Sequence, residues 1–98
     1  MIAKVHTNPD KRILIAVCDT NLLGQRFEEG ALQLDLTTAF YKGEERSPQE
    51  IGDLIRNADM VSLVGEQAIA IGIQEAVIDA QNIKRIQGIP FATAVREG

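Results

Sequence analysis

An uninterrupted apolar run, Ile13-Leu14-Ile15-Ala16-Val17-Cys18, constrains the fold more than any other feature of the chain. Successive side chains of a β-strand point to opposite faces of the sheet. A strand that is apolar at every position is therefore buried on both faces, as central strands are. Isoleucine and valine also favour strand over helix. Together with Arg12 before it, the run predicts a central strand of a β-sheet over residues 12–18.

A first strand is predicted to precede this run. Residues 2–7 are rich in β-branched side chains, and Asn8-Pro9-Asp10-Lys11 between the two strands is typical of a turn. If the chain turns through residues 8–11, Thr7 opposes Arg12 and His6 opposes Ile13. We therefore expect an antiparallel hairpin in that register.

Polar residues and glycine after the central strand predict a turn, and a third strand follows it. Asp19-Thr20-Asn21 offers N-caps for a short helical turn that Gly24 ends. Residues 26–30 are expected to form a loop. Residues 31–36 alternate between apolar and polar side chains, which predicts a half-exposed strand. Residues 37–46 link this strand to the next element.

Two helices are predicted in the second half of the chain. Ser47-Pro48-Gln49-Glu50 is a capping box with proline at the first helical position, and an apolar stripe runs from Ile51 to Ala58. A second stripe predicts a helix from residue 66 to about residue 78. Residues 60–64 fit either a short buried strand or the first turns of this second helix. We prefer the strand, because Gly65 suits a strand-to-helix junction.

The last elements complete an α+β fold. Residues 83–86 and 91–96 are predicted to form a hairpin around Gln87-Gly88-Ile89-Pro90. The order β-β-β-α-β-α-β-β indicates a mixed β-sheet with two main helices packed on one face. The 98 residues make a single compact domain, 1–98, and 45% of them are apolar, which is enough for one aliphatic core.

Several short motifs, the most informative of them between Ala16 and Gly30, are distributed over most of the chain. In these motifs the chain resembles the archaeal family of small proteins known as domain of unknown function 424. The resemblance implies an archaeal cytoplasmic origin and a shared fold, and it implies no established activity. The residues that carry it are Ala16-Val17-Cys18-Asp19, Leu22-Leu23-Gly24, Phe27, Glu29-Gly30, Phe40-Tyr41-Lys42-Gly43, Val64-Gly65 and Gly88-Ile89-Pro90.

Two positions depart from the pattern of that family. Ser62 stands where an asparagine is usual, and Phe91 stands where a histidine is frequent. Histidine is the usual proton-transfer and metal-binding residue near neutral pH. Chemistry based on a histidine at position 91 is therefore not carried over to this chain.

Composition excludes several classes of protein. One cysteine rules out an internal disulfide and an all-cysteine zinc site, and it suits a reducing compartment. The apolar runs are too short to cross a bilayer, and the first residues lack the apolar stretch of a signal peptide. We expect a cytoplasmic protein with no membrane attachment and no cofactor.

Charge is distributed unevenly along the chain, whose net charge is −4. Residues 27–79 carry three cationic and eleven anionic side chains, whereas both terminal segments are mildly basic. If the end strands are adjacent, Lys4, Lys11, Arg12, Lys84, Arg85 and Arg96 gather on one surface and could meet phosphates. The overall acidity and the aromatic content of 4% argue against autonomous binding of DNA or RNA, but not against docking on a larger assembly.

Three candidate chemistries are disfavoured, two by residue spacing and one by charge. In the expected register His6 and Cys18 lie far apart and on opposite sheet faces, so Cys18 is interpreted as a buried apolar residue. The acidic residues of the middle segment lack the spacing of a calcium loop, so no metal site is predicted. Gly65 before a helix could receive a phosphate, but Glu66 in the first turn opposes an anion there.

These exclusions favour a non-enzymatic binding module that acts through a surface. The surface is predicted around Asp19, Gly24, Arg26, Phe27, Gly30, Gly65 and Pro90. Its expected partner is a protein or a ribonucleoprotein. The alternative is a small enzyme or ligand-binding domain with a pocket near Asp19, Arg26 and Gly65. A homo-oligomer that pairs strand edges between subunits is a third hypothesis.

Overall fold

The structure, a computed structural model, describes residues 1–96. Within those residues it has the predicted α+β class and the predicted order of helices among strands, with two short strands, β3 and β5, in addition. The 3₁₀ turns are Thr20–Leu22, Ala39–Tyr41 and Ala80–Asn82. The strands and helices are β1 (Ile2–Thr7), β2 (Ile13–Cys18), β3 (Arg26–Glu29), β4 (Leu32–Asp35), β5 (Glu44–Glu45), α1 (Pro48–Arg56), β6 (Met60–Val64), α2 (Glu66–Gln74), β7 (Lys84–Ile86) and β8 (Ile89–Val95).

Six strands form one mixed sheet in the order β5-β1-β2-β6-β8-β7, and β3 pairs with β4 in a separate hairpin. The pair β2–β6 is parallel, and the other pairs are antiparallel. β2 is therefore an inner strand, as its apolar sequence predicts. Residues 60–64, which fitted strand or helix, form strand β6 beside it.

Both helices pack on one face of the sheet, as predicted. Ile51 and Ile55 of α1 and Ile69 of α2 share a core cluster with Ile15 and Leu63 of the sheet. The other face is covered in part by the β3–β4 hairpin and by the turn Ala39–Tyr41, which form a second core cluster. That cluster contains Ile2, Ala16, Cys18, Leu22, Leu34, Leu36, Tyr41, Val64 and Ile86.

The capping box that begins α1 is present as predicted. The Ser47 hydroxyl accepts a hydrogen bond from the Glu50 amide at 3.2 Å, and the Ser47 amide donates to the Glu50 carboxylate at 3.1 Å. Since Pro48 has no amide hydrogen to leave unpaired, the first turn is satisfied by local residues alone. This explains why the boundary could be predicted from four residues.

The register of the first hairpin differs from the prediction by one residue. Thr7 opposes Ile13 and His6 opposes Leu14. The turn is longer than expected, because Asn8 donates to Arg12 at 2.9 Å and Lys11 adopts a φ of 70°. A residue in the left-handed region at this place is typical of a three-residue hairpin loop with a bulge.

Two further local predictions were wrong. The expected loop of residues 26–30 contains strand β3, because Phe27 opposes Leu34 and turns its ring towards the second core cluster. The helix expected to reach residue 78 ends at Gln74. There the Val77 amide donates to Gly72 and the Ala76 amide to Ile73, the two bonds of a Schellman motif.

Candidate functional site

Three of the predicted site residues meet at one end of the sheet. Asp19 follows β2 and Gly65 follows β6, and parallel strands end at the same sheet edge. The Asp19 amide donates to the Val64 carbonyl at 3.0 Å, and the Gly65 amide donates to the Pro90 carbonyl at 2.8 Å. Asp19, Gly65 and Pro90 are therefore neighbours, as the sequence hypothesis required.

The Asp19 carboxylate caps helix α2. Its Oδ2 accepts a hydrogen bond from the Gln67 amide at 3.1 Å, and its Oδ1 accepts one from the Ala68 amide at 2.9 Å. The residue is only 6% exposed. A carboxylate at a helix N-terminus satisfies free amides and complements the positive end of the helix dipole. Asp19 therefore occupies the position where an anionic ligand would have to bind.

Gly65 makes room for this cap. An alanine Cβ at this position would lie 2.3 Å from the Asp19 Cγ, and the φ of Gly65 is 106°. Glu66, the acidic residue in the first turn of α2, does not oppose a ligand here, because it is exposed and pairs with Arg85 at 3.1 Å. The internal anion at this helix terminus comes from a residue 48 positions away.

A shallow cleft of about 210 Å³ lies beside the cap. Asp19, Gly65 and Pro90 line it, together with Asn21, Leu22, Glu66, Gln87, Gly88 and Ile89. Arg26 is not among the lining residues, so the pocket near Asp19, Arg26 and Gly65 is assembled only in part. Both Asp19 oxygens are engaged with α2, which leaves this carboxylate poorly placed to act as a base.

The remaining predicted site residues belong to the β3–β4 hairpin and its approach. Arg26 is exposed and forms an ion pair with Glu28 at 2.8 Å. Phe27 is half-buried and packs against the second core cluster. Gly30 is the first residue of the two-residue turn between β3 and β4. The Gly24 amide donates to the Leu36 carbonyl at 2.8 Å and ties the start of the hairpin to its end.

Hydrogen bonds from Gln87 join this hairpin to the β7–β8 turn. The Gln87 amide donates to the Glu29 carboxylate at 2.9 Å, and the Gln87 side chain donates to the Glu28 carbonyl at 2.8 Å. The Gly30 turn and the Gly88 turn are thereby held next to each other. The predicted site residues thus form one continuous end of the molecule, and most of their polar groups are used internally.

Cys18 is buried, as expected, but it lies on the same sheet face as His6 and not on the opposite one. In the observed register Leu14 opposes His6 and lies four residues before Cys18, so Cys18 and His6 share a sheet face. They remain about 13 Å apart along the strands. Cys18 packs in the second core cluster, and this burial, followed by the charge of Asp19, raises the pKa of its thiol to about 11. The thiol is therefore inert near neutral pH.

Stability should fall at alkaline pH because of this thiol. Its pKa is 9.0 when unperturbed and about 11 in the folded protein. The folded state holds the proton more tightly, so the free energy of unfolding decreases as the pH rises from about 9 through 11. Urea unfolding between pH 7 and pH 11 measures this decrease. In Cys18→Ala the decrease in unfolding free energy over this pH range should be smaller. An equal decrease in that variant would show that the Cys18 thiol is not its cause.

The sheet face opposite the helices is covered only in part: Lys84, Thr93 and Val95 are exposed on it. Leu14 and Phe91, at its border, pack against the second core cluster. We define this open sheet face by the side chains that the strand alternation places there beyond the hairpin. Val95 is 57% exposed on it, and Phe40, 37% exposed, lies over His6. The residues of the open sheet face are Lys4 and His6 of β1, Leu14 of β2, Met60 of β6, Lys84 of β7, Phe91, Thr93 and Val95 of β8, and Phe40.

The cations of the protein fall into two groups. Arg26, Arg46, Arg56 and Arg85 each form an ion pair with a carboxylate. In contrast, no carboxylate of residues 1–96 lies within 4.0 Å of the charged groups of the other six. One of the six, Arg96, lies on the helix side. The other five belong to the open sheet face, to the segment that crosses it or to the β1–β2 turn at its end: Lys4, Lys11, Arg12, Lys42 and Lys84.

The basic surface predicted from the sequence therefore exists with a different set of residues. β1 and β8 are not adjacent, since β2 and β6 lie between them. Arg85 points to the face opposite Lys84 and pairs with Glu66. Arg96 lies on the helix side, where it donates to the Arg56 carbonyl at 2.8 Å. Phe40 and Lys42 could have been found only by knowing that residues 39–42 cross the sheet.

A larger cavity of about 390 Å³ lies at the opposite end of the sheet from Asp19. Ile55, Val61 and Ala94 form part of its wall, and the Arg56–Glu75 ion pair, at 2.6 Å, lies at its rim. In the described part of the chain no three histidine, cysteine or acidic side chains are arranged to share a metal ion. No helix among residues 1–96 is long and apolar enough to cross a membrane.

The structure is a small α+β domain with a mixed sheet. Comparison with known proteins agrees with this description. The chain belongs to the family described as protein of unknown function (DUF424), whose model matches residues 6–96. This confirms the resemblance seen in the sequence. No curated protein matches the chain in sequence.

A solved structure has a similar fold. It is the crystal structure of an uncharacterized conserved protein from Methanopyrus kandleri, with a TM-score of 0.81. The two chains are 22% identical, and the match covers 99% of this chain and 94% of that one. At this identity the likeness concerns the fold alone.

Proposed function

We propose that this protein is a small archaeal-type cytoplasmic binding module, without enzymatic activity, that docks on a ribonucleoprotein through the open sheet face. The observation that carries the proposal is the segregation of charge. In a chain of net charge −4, five of the six cations without a carboxylate neighbour among residues 1–96 collect on or beside one partly uncovered face, and the sixth, Arg96, lies on the helix side. Such a face attracts a polyanion, even though the molecule as a whole is acidic.

The residues at the predicted site around Asp19 support the same proposal indirectly. Asp19 is engaged by α2, and Cys18 is buried with a raised pKa, so neither supplies a free nucleophile or base. Arg26 is engaged with Glu28. The alternative, a small enzyme, would need these three side chains, but they are already buried or bonded within the protein. The cations of the open sheet face pair with no carboxylate of residues 1–96 and are therefore available to a partner.

Adjacent residues of β7 offer a matched pair of variants to test this. Lys84 lies on the open sheet face, and Arg85 points to the other face. Lys84→Glu and Arg85→Glu make the same change of charge on opposite sides of one strand. We expect tagged wild-type protein and Arg85→Glu to recover a ribonucleoprotein from native extract. Lys84→Glu should recover several-fold less, because a repulsive charge then faces the phosphates.

Nuclease treatment separates the two kinds of partner. If RNA is part of the partner, digestion before the pull-down should abolish recovery. If recovery is unchanged after nuclease treatment, the partner is a protein rather than a ribonucleoprotein. Equal recovery by wild type and Lys84→Glu would show that docking does not use this face. Thermal unfolding of both variants checks that each is folded, and exposed charge changes should cost little stability.

A further inference from the structure

Phe40 is an exposed aromatic residue that the fold holds in one orientation. Its ring stacks on the imidazole of His6, with centroids 4.7 Å apart and an interplanar angle of 18°. The Tyr41 ring stands nearly perpendicular to it at 4.9 Å. The His6 Nε2 is also hydrogen-bonded to the Phe40 carbonyl at 2.9 Å. One face of the Phe40 ring is thus supported, and the ring remains 37% exposed.

The segment that carries Phe40 is anchored at both sides. The Tyr41 hydroxyl shares a hydrogen bond of 2.9 Å with the buried Ser62 hydroxyl, which fixes the segment to β6. Gly43 lies directly against β1, since a Cβ there would be 1.9 Å from the Ala3 carbonyl oxygen. Phe40 therefore does not need to be ordered by a ligand, and the entropic cost of binding is reduced.

Two lysines lie near this ring by their backbone positions. Lys4 belongs to the same strand face as His6, and Lys42 comes two residues after Phe40. The backbones of the two lysines are close in space, because a Cβ added at Gly43, the residue after Lys42, would lie 2.8 Å from the Lys4 Cα. Neither pairs with a carboxylate of residues 1–96. Farther across the sheet, about 19 Å from β1, β7 supplies Lys84 to the same face.

A partly exposed aromatic ring near cations that pair with no carboxylate of residues 1–96 suits an unpaired base and its phosphates. Bases stack on such rings regardless of sequence, and lysines follow the backbone. A duplex hides its bases, so it would use only the charges. We propose that Phe40 is a stacking platform for an unpaired base of single-stranded RNA, and that Lys4, Lys42 and Lys84 contact the phosphates. This inference rests on the proposed docking function and names the part of the ribonucleoprotein that is touched.

One platform and three lysines predict weak binding that depends steeply on salt. We expect a dissociation constant of about 10–100 µM at low salt, in the range of non-specific nucleic-acid binding. With about three phosphates neutralised, the logarithm of the affinity should fall with the logarithm of salt with a slope of roughly −2. Such affinity is compatible with the acidity of the chain. It would be sufficient where a larger assembly presents the RNA strand.

The chain has no tryptophan, so Phe40→Trp introduces a unique fluorophore at the platform. Its emission should be quenched on titration with a short unstructured oligoribonucleotide. Inorganic polyphosphate, a polyanion without bases, should leave the emission unchanged. Ile73→Trp is the matched control, because Ile73 is an exposed apolar residue of α2 on the helix side. The emission of that variant should not respond to the oligonucleotide.

A labelled oligoribonucleotide then measures affinity directly by fluorescence anisotropy. Phe40→Ala should weaken binding by about 10-fold or more, because one stacked base is lost. Ile73→Ala should bind like the wild type. A duplex of the same length should bind more weakly than the single strand. Equal affinity for duplex and single strand, or an equal affinity of Phe40→Ala and wild type, would overturn the stacking assignment.

The outcomes also separate this inference from the docking proposal. If Lys84→Glu loses the ribonucleoprotein while the tryptophan at position 40 is not quenched, docking stands and base stacking is overturned. If the tryptophan is quenched but no ribonucleoprotein is recovered in the pull-down, single-stranded RNA is the ligand and the docking proposal falls.

Discussion

Replacing Gly65 with alanine is expected to lower the free energy of unfolding by about 4 kcal/mol, from two separate causes. The backbone of Gly65 has φ 106° and ψ 158°, a region that is almost restricted to glycine and costs other residues about 1–3 kcal/mol. The new Cβ would also lie 2.3 Å from the Asp19 Cγ. Overpacking of this kind costs about 1–3 kcal/mol, and here it also pushes the carboxylate off the α2 amides.

Gly30→Ala is the matched control for the backbone term. Gly30 also has a positive φ, 61°, but no atom lies within 4 Å of the Cβ that alanine would add. This variant should lose only about 1 kcal/mol, the conformational cost alone. Urea unfolding of both variants gives the difference. Equal losses would show that contact with Asp19 adds nothing.

A double-mutant cycle isolates the contact between Gly65 and Asp19. Asp19→Ala alone should cost about 3 kcal/mol, since two amides of α2 lose a charged acceptor. In Asp19→Ala/Gly65→Ala the added methyl group no longer meets a carboxylate. The losses should therefore be less than additive, by roughly 1–3 kcal/mol. Strict additivity would contradict the proposed steric coupling.

The same cap shows where sequence reasoning succeeds and where it stops. The start of α1 was predicted correctly because Ser47, Pro48 and Glu50 satisfy the helix terminus among themselves. The start of α2 has the same physical need, but its acceptor is Asp19, 48 residues earlier than Gln67. A residue pattern within one segment carries no information about such a partner. Asp19 was predicted as a residue of a binding surface, whereas its role as the cap of α2 depends on the parallel pairing of β2 with β6.

Register and strand predictions failed for a related reason. The inner position of β2 followed from its composition, because burial on both faces leaves no alternative. The pairing of β1 with β2 depended on Lys11 adopting a positive φ, which lysine rarely does. Because a shift of one residue in strand register moves side chains to the other face, the predicted register put Cys18 on the face opposite His6. Strand β3 was missed because the apolar contact of Phe27 becomes apparent only once the hairpin folds over the sheet.

The open sheet face could be anticipated only in outline from the sequence. The basic terminal segments were recognised, and Lys4 and Lys84 do share a face. However, ion pairs remove Arg85 from the set, and Lys42 and Phe40 join it because residues 39–42 cross the sheet. A charge count along the chain cannot distinguish a paired cation from an unpaired one. That distinction, rather than net charge, is what supports a binding role for this surface.

Gly43→Ala is the second substitution for which we expect a large loss, about 3 kcal/mol of unfolding free energy. An alanine Cβ at this position would lie 1.9 Å from the Ala3 carbonyl oxygen and 2.8 Å from the Lys4 Cα. Both are backbone atoms of β1, so no side-chain rotation can relieve the contact, and the two segments must separate. Separation would strain the short β5 pairing, which consists of Ile2 with Glu45 and Ala3 with Glu44.

Gly52→Ala is the matched control for this substitution. Gly52 lies inside α1, and the added Cβ would meet only the end of the Glu75 side chain, at 3.0 Å. That flexible side chain can move, and alanine is favoured over glycine in a helix by about 1 kcal/mol. Gly52→Ala should therefore lie within about 1 kcal/mol of the wild type. A loss as large as that of Gly43→Ala would mean that burial alone, rather than the backbone contact, explains both.

Gly43→Ala also links the stability of this segment to the proposed function. The substitution displaces residues 39–43 from β1, so the stacking of Phe40 on His6 should loosen. At temperatures where the variant is still folded, binding of single-stranded RNA should weaken as it does in Phe40→Ala. Anisotropy titrations of Gly43→Ala, Gly52→Ala and wild type measure this. Unchanged affinity in a folded Gly43→Ala would show that the fixed position of Phe40 is not needed for binding, since the ring would then be ordered by its ligand instead.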